Sequence, residues 1–391
     1  MRVLHVIPSV AARDGGPSQA IAPMCQALID RGMDVTLAAT DADGSSRLPV
    51  SINVRTAWQG IPAIFFSRDL TEAFKYSRGM ARWLGAHVGD FDVVHAHAVL
   101  SHAPIAAAAA CRRARVPYAI RPLGTLATWS MNHHRWRKRL LLAAGAGRAV
   151  RCASALHCTT NEEWSDLRAA FGVSRGHVIP LGVDLPPITG PDLSDAPYVL
   201  ALSRLHPKKN FESLLDAFAR LHRLHARWRL VIAGAGDDDY RRRLEDRARD
   251  LALHTAVQFT GWVDGAQKRE LLARASLFAL PSRHENFGIA VLEAMAAGVP
   301  VVISREVQLA DAVARAGAGW VVDGDTSALT DVLGRAMNSP DLLTQRRAAR
   351  RLAEQYSWSR CAEQLEQMYR EMRRTPHAGP VGVRLQGSVA S

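Results

Sequence analysis

The sequence has little of what a secreted or membrane-spanning protein would show. Its five cysteines in 391 residues are odd in number and lack C-x-x-C spacing, which argues against a disulfide framework and a zinc site. No apolar run approaches the roughly 18 residues that a membrane-spanning helix needs, and the apolar start at residues 3–8 is too short for a signal peptide. We therefore expect a cytoplasmic protein with ordinary buried thiols, at Cys25, Cys111, Cys152, Cys158 and Cys361.

Acidic residues are absent from one long stretch. The formal net charge is +12, and residues 101–151 contain ten Lys and Arg but no Asp or Glu. Basic residues mixed with Trp and Leu favour a surface that rests on anionic lipid, whereas a solvated basic helix that packs its leucines explains the pattern equally well. No DNA- or RNA-binding module accompanies the charge, which disfavours nucleic acid. The candidate membrane surface comprises Trp129, Arg135, Trp136, Arg137, Lys138 and Arg139.

Length and apolar content indicate two α/β domains. A chain of 391 residues with 48% apolar residues fits two domains of under about 200 residues each. An apolar strand at residues 3–7, a helical stretch at 19–31 and a second strand at 35–39 form a βαβ opening. The Pro- and Gly-rich segment at 181–192 is the best boundary, and a second alternation of strands and helices follows it. The tail at 375–391 has little to bury and is expected to be disordered.

Two carboxylates eight positions apart are the most informative feature. Glu285 follows an apolar strand at residues 277–280, and Glu293 lies inside the helix that follows. The first turn of a helix has unpaired N–H groups and the positive end of the helix dipole, which together bind phosphate. The backbone amides at Phe287, Gly288 and Ile289 are therefore predicted to bind a diphosphate.

The spacing of the pair suits a nucleotide sugar. Eight residues at the helical rise span roughly 12 Å, so Glu285 could contact a sugar on one side of the diphosphate while Glu293 holds a ribose on the other. A bare pair of glutamates at this spacing arises by chance. The strand, loop and helix around the pair, and Gly298 at the helix end, are what favour a binding site.

This pattern resembles the E-x7-E signature of retaining glycosyltransferases of family 4. The resemblance implies an α/β protein of the GT-B fold, with two doubly wound Rossmann-like domains facing a cleft. Residues 1–185 would form the acceptor-binding domain and residues 196–355 the nucleotide-sugar-binding domain, with a C-terminal helix at 359–374 packing back on the first.

The resemblance also implies an activity. A hexose-type sugar would pass from a UDP- or GDP-sugar to a hydroxyl with retention at the anomeric carbon, without a metal or other cofactor. Many relatives extend lipid-linked sugars at the inner face of the plasma membrane. The expected acceptor is therefore a glycan on polyprenyl diphosphate, used in surface polysaccharide or glycoconjugate synthesis, and the expected location is cytoplasmic, peripheral to that membrane.

Two basic residues complete the expected donor site. Arg204 and Lys209 follow the strand at residues 198–202 and so project from the carboxyl edge of a sheet, where α/β folds bind ligands. They match the family's paired Arg and Lys, which would neutralise the departing diphosphate. The alternative is a solvated basic loop.

The first domain offers weaker signals. Gly15 and Gly16 could let the backbone approach a phosphate or the acceptor, although such a pair before Pro is more often a turn. His97, at the end of the sequence His-Ala-His, could orient an acceptor hydroxyl or take its proton, and a structural histidine fits nearly as well. Leu123 stands where many relatives have a histidine, so His97 or Arg121 would serve the acceptor. Metal binding is disfavoured because no third ligand lies nearby in the sequence.

Two further functions stay open at this point. A non-catalytic subunit could bind a nucleotide sugar or a partner enzyme, and the substitution at Leu123 favours that possibility. A sugar phosphorylase or hydrolase of the same fold would use the same donor site with phosphate or water as acceptor.

Overall fold

The computed structural model describes residues 1–126, 135–188 and 196–374, without the side chains of Arg135 and Arg137. The chain divides into two compact units. Unit 1 comprises Met1–Gly182 together with Trp358–Ser391, and unit 2 comprises Val183–Ser357. The chain therefore leaves unit 1 once and returns to it for its last helix.

Unit 1 contains an eight-stranded sheet. Its order is β10-β9-β8-β7-β1-β2-β6-β5, and all neighbours are parallel except β5 and β6. β1 is buried apart from its first residue, as expected for a strand covered on both faces. The strands are β1 (Arg2–Ser9), β2 (Asp34–Thr40), the short pair β3 (Ala42–Asp43) and β4 (Ser46–Arg47), β5 (Arg55–Trp58), β6 (Ile61–Phe66), β7 (Val93–His97), β8 (Tyr118–Arg121), β9 (Ala155–Cys158) and β10 (Gly176–Val178).

The helices of unit 1 lie between these strands. They are α1 (Gly16–Asp30), α2 (Arg78–His87), α3 (His102–Ala114), α4 (Arg135–Leu141), α5 (Gly147–Arg151) and α6 (Asn161–Phe171), with a π-helical turn at Leu142–Ala146. The predicted helix start at residue 19 is wrong, because α1 begins at Gly16. Pro17 lies in its first turn, where a missing N–H costs no hydrogen bond.

Unit 2 contains a six-stranded, wholly parallel sheet. Its order is β13-β12-β11-β14-β15-β16, the 3-2-1-4-5-6 order of a doubly wound fold. The strands are β11 (Tyr198–Leu202), β12 (Arg229–Ala233), β13 (Val257–Gly261), β14 (Leu277–Leu280), β15 (Val301–Ser304) and β16 (Gly319–Val322). The helices are α7 (Phe211–His222), α8 (Asp238–Asp250), α9 (Gly265–Arg274), α10 (Ile289–Ala296), α11 (Ala310–Ala316), α12 (Thr326–Met337) and α13 (Leu342–Glu354).

The last helix, α14 (Trp358–Arg374), belongs to unit 1. It packs against α1 and β7 and buries one face, which includes Leu365, Met368 and Tyr369. A Cβ atom at Gly182 would lie 2.5 Å from the Trp358 ring, so glycine at this position lets the helix start pack against the end of the unit 1 segment.

Each sheet reverses its strand order at one point. In unit 2 the reversal lies between β11 and β14, and in unit 1 it lies between β1 and β7. Open α/β sheets bind ligands beyond the carboxyl ends of such strands. Functional residues are therefore expected in the loops after these four strands.

The helices and the cysteines bear on two expectations from composition. Within the described ranges, none of the helices has the length and apolar character needed to cross a bilayer. Four cysteines are buried as expected, but Cys152, which directly follows α5, is partly exposed.

Candidate functional site

The loops after β11 and β14 meet at the reversal point of unit 2. The backbone N–H of Arg283 donates to the carbonyl oxygen of Lys208 at 2.8 Å, and an Arg283 guanidinium N–H donates to Oδ1 of Asn210 at 3.3 Å. These two bonds join the loops, so the side chains that the loops carry are held in one place.

Lys209 is the buried cation of this site. It ends a 3-10 turn, Pro207–Lys209, and Asn210 then adopts a left-handed conformation with φ of 59° before α7 begins. The Lys209 ammonium contacts the Glu285 carboxylate, 76 residues further along the chain. Both side chains are largely buried, with 9% and 17% of their surfaces exposed.

Burial alters the acidity of Lys209. Desolvation first, and then the charges of Lys208 and Arg204, lower its pKa from 10.5 to about 7, since all three effects disfavour the protonated amine. The Glu285 carboxylate acts in the opposite direction and favours the ammonium ion. Arg204 itself is exposed and lies close enough to act on the same charge.

Glu285 and the start of α10 form the other half of this site. The backbone N–H of Glu285 donates to the carbonyl oxygen of Glu306 at 3.1 Å. Gly288 follows with φ of +84°, and the first bonds of the helix are those from Val291 and Leu292 to its carbonyl oxygen. The amides at positions 288 to 290 thus belong to the helix start, where N–H groups are available to an anion.

Phe287 contributes only its backbone to this helix start. Its side chain is buried, with its ring centroid 6.1 Å from that of Tyr356. Gly288 is required by its left-handed conformation and by a Cβ position only 3.1 Å from Val307. Ile289 is the first residue of α10.

Glu293 lies on α10, as the sequence indicated. Its carboxylate accepts a hydrogen bond from the Lys268 ammonium at 2.7 Å, and each side chain is about one fifth exposed. The estimate of roughly 12 Å between the two glutamates is wrong in its premise, because Glu285 lies in a loop and the helical rise applies only from Ile289 to Glu293.

In unit 1, the predicted glycines follow β1 at the reversal point. Gly15 has φ of +85° and open space around its Cβ position, so its backbone conformation, and not crowding, favours glycine. Gly16 is the first residue of α1.

Four histidines and one arginine are buried together in unit 1. They come from β1 (His5), β7 (His95 and His97), β8 (Arg121) and β9 (His157), and none is more than 1% exposed. In the parallel register His5 lies opposite His95, and His97 lies opposite Arg121. Because side chains two apart share a face of a strand, these groups are on the same side of the sheet.

Burial keeps these histidines uncharged. Desolvation is the largest cause that lowers the pKa of each ring, and the charge of Arg121 acts in the same direction. The pKa of His5 falls to about 3. Burial also lowers the pKa of Arg121 to about 10, which still leaves it protonated near neutral pH.

The four rings are hydrogen bonded in a row, together with Tyr369 from α14. His157 Nε2 lies 2.9 Å from the carbonyl oxygen of Ile179, and His157 Nδ1 lies 3.3 Å from His95 Nε2. The Tyr369 hydroxyl lies 2.7 Å from His95 Nδ1 and 3.4 Å from His5 Nε2. His5 Nδ1 lies 2.9 Å from His97 Nε2.

Two polar atoms of this cluster have no partner among the described residues. They are Nδ1 of His97 and Nε of Arg121, on adjacent strands in register. A buried polar atom without a partner is costly, and it often marks a place where a ligand or water binds.

His5, His95 and His97 also offer ligand atoms within 4.8 Å of one another. The sequence shows no third ligand near His95 and His97, but in space His5 supplies one, because it comes from the neighbouring strand β1. A neutral imidazole is a common metal ligand, but the neighbouring Arg121 guanidinium repels a cation.

The loop after β8 is held by a buried carboxylate. Glu163 accepts hydrogen bonds from the backbone N–H groups of Gly124 at 2.6 Å and Thr159 at 2.8 Å. The Thr160 hydroxyl in turn accepts a hydrogen bond from the backbone N–H of Glu163 and so caps the start of α6. Leu123 in this loop has φ of 62°.

The described residues include only part of the candidate membrane surface. Trp129 lies outside the described residues, as do the side chains of Arg135 and Arg137. Trp136 is 66% exposed and Leu140 is 62% exposed. Arg139 is exposed, and Lys138 is half-buried, with its pKa lowered by burial.

A cavity of about 430 Å³ lies beside this surface. Leu126, Leu142 and Phe171 contribute apolar surface to it, and Arg139 and Arg151 contribute positive charge.

Comparison with known proteins gives two family matches. Residues 15–182 match the glycosyl transferase 4-like domain, and residues 191–355 match the glycosyl transferases group 1. Anabaena HepE, solved in complex with UDP and glucose, is similar with a TM-score of 0.75 at 20% identity, over 94% of this chain and 98% of that chain. The likeness confirms the predicted α/β fold class.

Two curated relatives are similar over shorter segments. A D-inositol 3-phosphate glycosyltransferase of Corynebacterium urealyticum is 36% identical over 139 residues, which are 35% of this chain and 33% of the relative. A GDP-mannose-dependent alpha-(1-6)-phosphatidylinositol dimannoside mannosyltransferase of Mycobacterium tuberculosis is 36% identical over 160 residues, 41% of this chain and 40% of the relative. The chain thus spans less than half the length of either relative.

Proposed function

The chain belongs to the group 1 glycosyl transferases with the GT-B fold, and we propose that it transfers a hexose-type sugar from a nucleotide sugar to a hydroxyl of a glycan acceptor with retention. The observation that carries this proposal is the buried Lys209–Glu285 ion pair beside the start of α10. The pair and the helix start together place a cation, a carboxylate and backbone amides at the reversal point of a doubly wound sheet.

In this proposal unit 2 binds the donor. The diphosphate lies at the helix start, where the amides at positions 288 to 290 and the helix dipole favour negative charge. Lys209 and Arg204 stabilise the charge that develops as the nucleoside diphosphate leaves. Glu285 is held by Lys209 and orients the sugar.

Glu293 binds the ribose. Its carboxylate is part of a helix, so its position is fixed relative to the helix start, and a carboxylate accepts hydrogen bonds from both hydroxyls of a ribose diol. Lys268 holds the carboxylate in place. The donor is a UDP- or GDP-sugar, in line with the UDP complex of HepE and the GDP-mannose named for the mycobacterial relative.

Unit 1 binds the acceptor. Nδ1 of His97 is an acceptor when the ring is protonated on Nε2, and Nε of Arg121 is a donor. A hydroxyl group both donates and accepts, so one hydroxyl satisfies both unpaired atoms. His97 would then orient the hydroxyl that is glycosylated, which gives it the orienting role expected of the histidine that Leu123 replaces.

The acceptor in this proposal is a lipid-linked glycan, such as one on polyprenyl diphosphate, in surface polysaccharide or glycoconjugate synthesis. The exposed Trp136 and Leu140 and the acid-free basic stretch at residues 101–151 suit peripheral binding to an anionic inner membrane surface. Arg139 and Arg151 at the cavity beside this surface add positive charge for a phosphate group.

A thermal-shift assay with UDP, GDP, UDP-glucose and GDP-mannose tests the donor site. Ligand at 100 times Kd adds about 2.7 kcal/mol to the stability of the protein that binds it, a rise in Tm of roughly 5 to 10 °C for a domain of this size. We expect one nucleotide series to give this rise in the wild type.

The matched variants are Glu293→Ala and Glu270→Ala. Glu270 is an exposed carboxylate on α9, so its loss is expected to leave the rise unchanged, whereas Glu293→Ala abolishes it. A wild-type protein that none of the four compounds stabilises would contradict the donor site. Product analysis then separates three reactions that all release nucleotide: transfer to water gives free sugar, transfer to phosphate gives a sugar phosphate, and transfer to a glycan gives an extended glycan.

A further inference from the structure

The hydrogen bonds of the buried histidines have only one possible direction. A carbonyl oxygen only accepts, so His157 must carry its proton on Nε2 to donate to Ile179. A neutral ring has one N–H, so Nδ1 of His157 is an acceptor, and His95 must donate to it from Nε2. Nδ1 of His95 is then an acceptor as well.

The same direction continues through Tyr369. The Tyr369 hydroxyl must donate its only proton to Nδ1 of His95, so its oxygen accepts from Nε2 of His5. Nδ1 of His5 is left as an acceptor, and His97 must donate to it from Nε2. Every ring in the row is therefore protonated on Nε2, provided that each is neutral.

The row ends at Nδ1 of His97, which has no hydrogen-bond partner among the described residues. Its lone pair is the acceptor that the proposed function needs, and Arg121 presents its unpaired Nε–H from the adjacent register position. The bond from His157 to the carbonyl oxygen of Ile179 sets the direction of every hydrogen bond in the row. It thus determines which nitrogen of His97 is left to accept a hydrogen bond.

We propose that His157, His95, Tyr369 and His5 are positioning residues that hold His97 in the Nε2-protonated tautomer, so that its Nδ1 accepts the hydrogen bond of the hydroxyl to be glycosylated. This inference rests on the proposed function. It assigns a role to Tyr369, which reaches the cluster from the last helix, and to three histidines to which the proposed function gives no contact with a substrate. Hydrogen-bonded partners fix the tautomer of an active-site histidine in this way elsewhere.

A metal ion is incompatible with this arrangement. It would need ring lone pairs of His5 and His95 that already accept hydrogen bonds from His97 and Tyr369. The hydrogen-bonded row therefore predicts a protein without zinc and with four Nε2–H rings, whereas a metal site predicts bound zinc and other proton positions.

Nitrogen-15 NMR of full-length protein labelled at histidine tests the proton positions directly. Long-range correlations distinguish Nε2–H from Nδ1–H rings. In the wild type we expect His5, His95, His97 and His157 to be single Nε2–H tautomers. A wild-type spectrum with an Nδ1–H ring among them, or stoichiometric zinc in the purified protein, would overturn the proposal without the need of any variant.

Tyr369→Phe makes a sharper test because it cuts the row at one place. The hydrogen bonds of His157 and His95 still have their direction set by the carbonyl oxygen of Ile179. Those of His5 and His97 lie beyond the cut, so their direction is no longer set. We expect mixed tautomers for His5 and His97 only. Tyr118→Phe is the matched control, since it removes another buried hydroxyl of unit 1, one that donates to Ala149, and it should change none of the four rings.

Hydrolysis of UDP-glucose or GDP-mannose, with water in place of the acceptor, connects the row to the reaction. We expect Tyr369→Phe to lower kcat about 10-fold through loss of orientation, with KM for the donor unchanged, and Tyr118→Phe to leave both unchanged. Mixed tautomers without a fall in kcat would overturn the positioning role. Tautomers as expected, in a wild-type protein that none of the four nucleotide compounds stabilises, would overturn the proposed function while the proton positions stand.

Discussion

Mild acid should destabilise unit 1, because the four buried histidines are neutral in the native state. Their pKa values are lowered by burial, to about 3 for His5 and in the same direction for His95, His97 and His157. An unfolded histidine has a pKa near 6.5. Below pH 6.5 the unfolded chain therefore binds protons that the native rings do not, and the free energy of unfolding falls as the pH falls.

The magnitude follows from the number of rings. At pH 5.5, one unit below the unfolded pKa, each ring costs about 1.4 kcal/mol relative to pH 7.5, so four rings cost about 5 kcal/mol. That is as large as the whole stability of many domains. His102 and His177 act in the same direction, because burial also lowers their pKa values, but they are only about half buried and add less.

The assay is urea denaturation at pH 7.5 and pH 5.5, with hydrogen exchange measured on peptides from β1, β7 and β9. With a urea dependence of about 2 to 3 kcal/mol per molar, the midpoint of unit 1 should fall by about 2 M. His157→Gln should remove about a quarter of this difference, and His254→Asn, at an exposed position, none of it. Midpoints that agree within roughly 0.3 M would refute the buried, uncharged rings.

Three further changes test other parts of the structure. Lys209→Met should lower kcat for nucleotide release about 100-fold or more, as loss of a charge-stabilising group does; an unchanged kcat would exclude it from the reaction. Gly234→Ala should destabilise unit 2 in urea denaturation by more than about 2 kcal/mol, because its φ is +137° and the new Cβ would lie 1.9 Å from a backbone oxygen. Gly317→Ala is the control: it has open space at φ +62° and should cost about 1 kcal/mol. Leu140→Ser should weaken sedimentation with phosphatidylglycerol vesicles, whereas Leu224→Ser, at a leucine that is also exposed but lies outside the basic stretch, should not; equal effects would contradict the membrane surface.

The two residues proposed to act at the donor site were predictable in position because each follows an apolar strand. Lys209 and Glu285 both stand just beyond the carboxyl end of a strand, and this position alone indicates a shared edge. Their contact was not predictable, because it depends on β14 lying next to β11 while two intervening strands lie on the other side. The Lys268–Glu293 bond is a similar case, since it joins two helices whose packing the sequence pattern does not specify.

The histidine row was missed for a different reason. His95 and His97 share a face by their spacing alone, but His5 was counted as part of an apolar run and His157 was not considered. Only strand register places them together, and register between parallel strands has no local signal. The edge strand β5 was missed too, because it is half exposed and lacks an apolar run, and its neighbour β6 was missed with it.

The place of α14 has a consequence for synthesis of the chain. Unit 2 is complete when residue 357 has been made, but unit 1 lacks Tyr369 and the apolar face around it until the ribosome reaches residue 374. On a growing chain, therefore, the later-encoded unit can finish folding before the earlier one. Until then the histidines of β1, β7 and β9 have one side of their cluster open to water, where their ordinary pKa values apply and the proton positions of the row are not yet set.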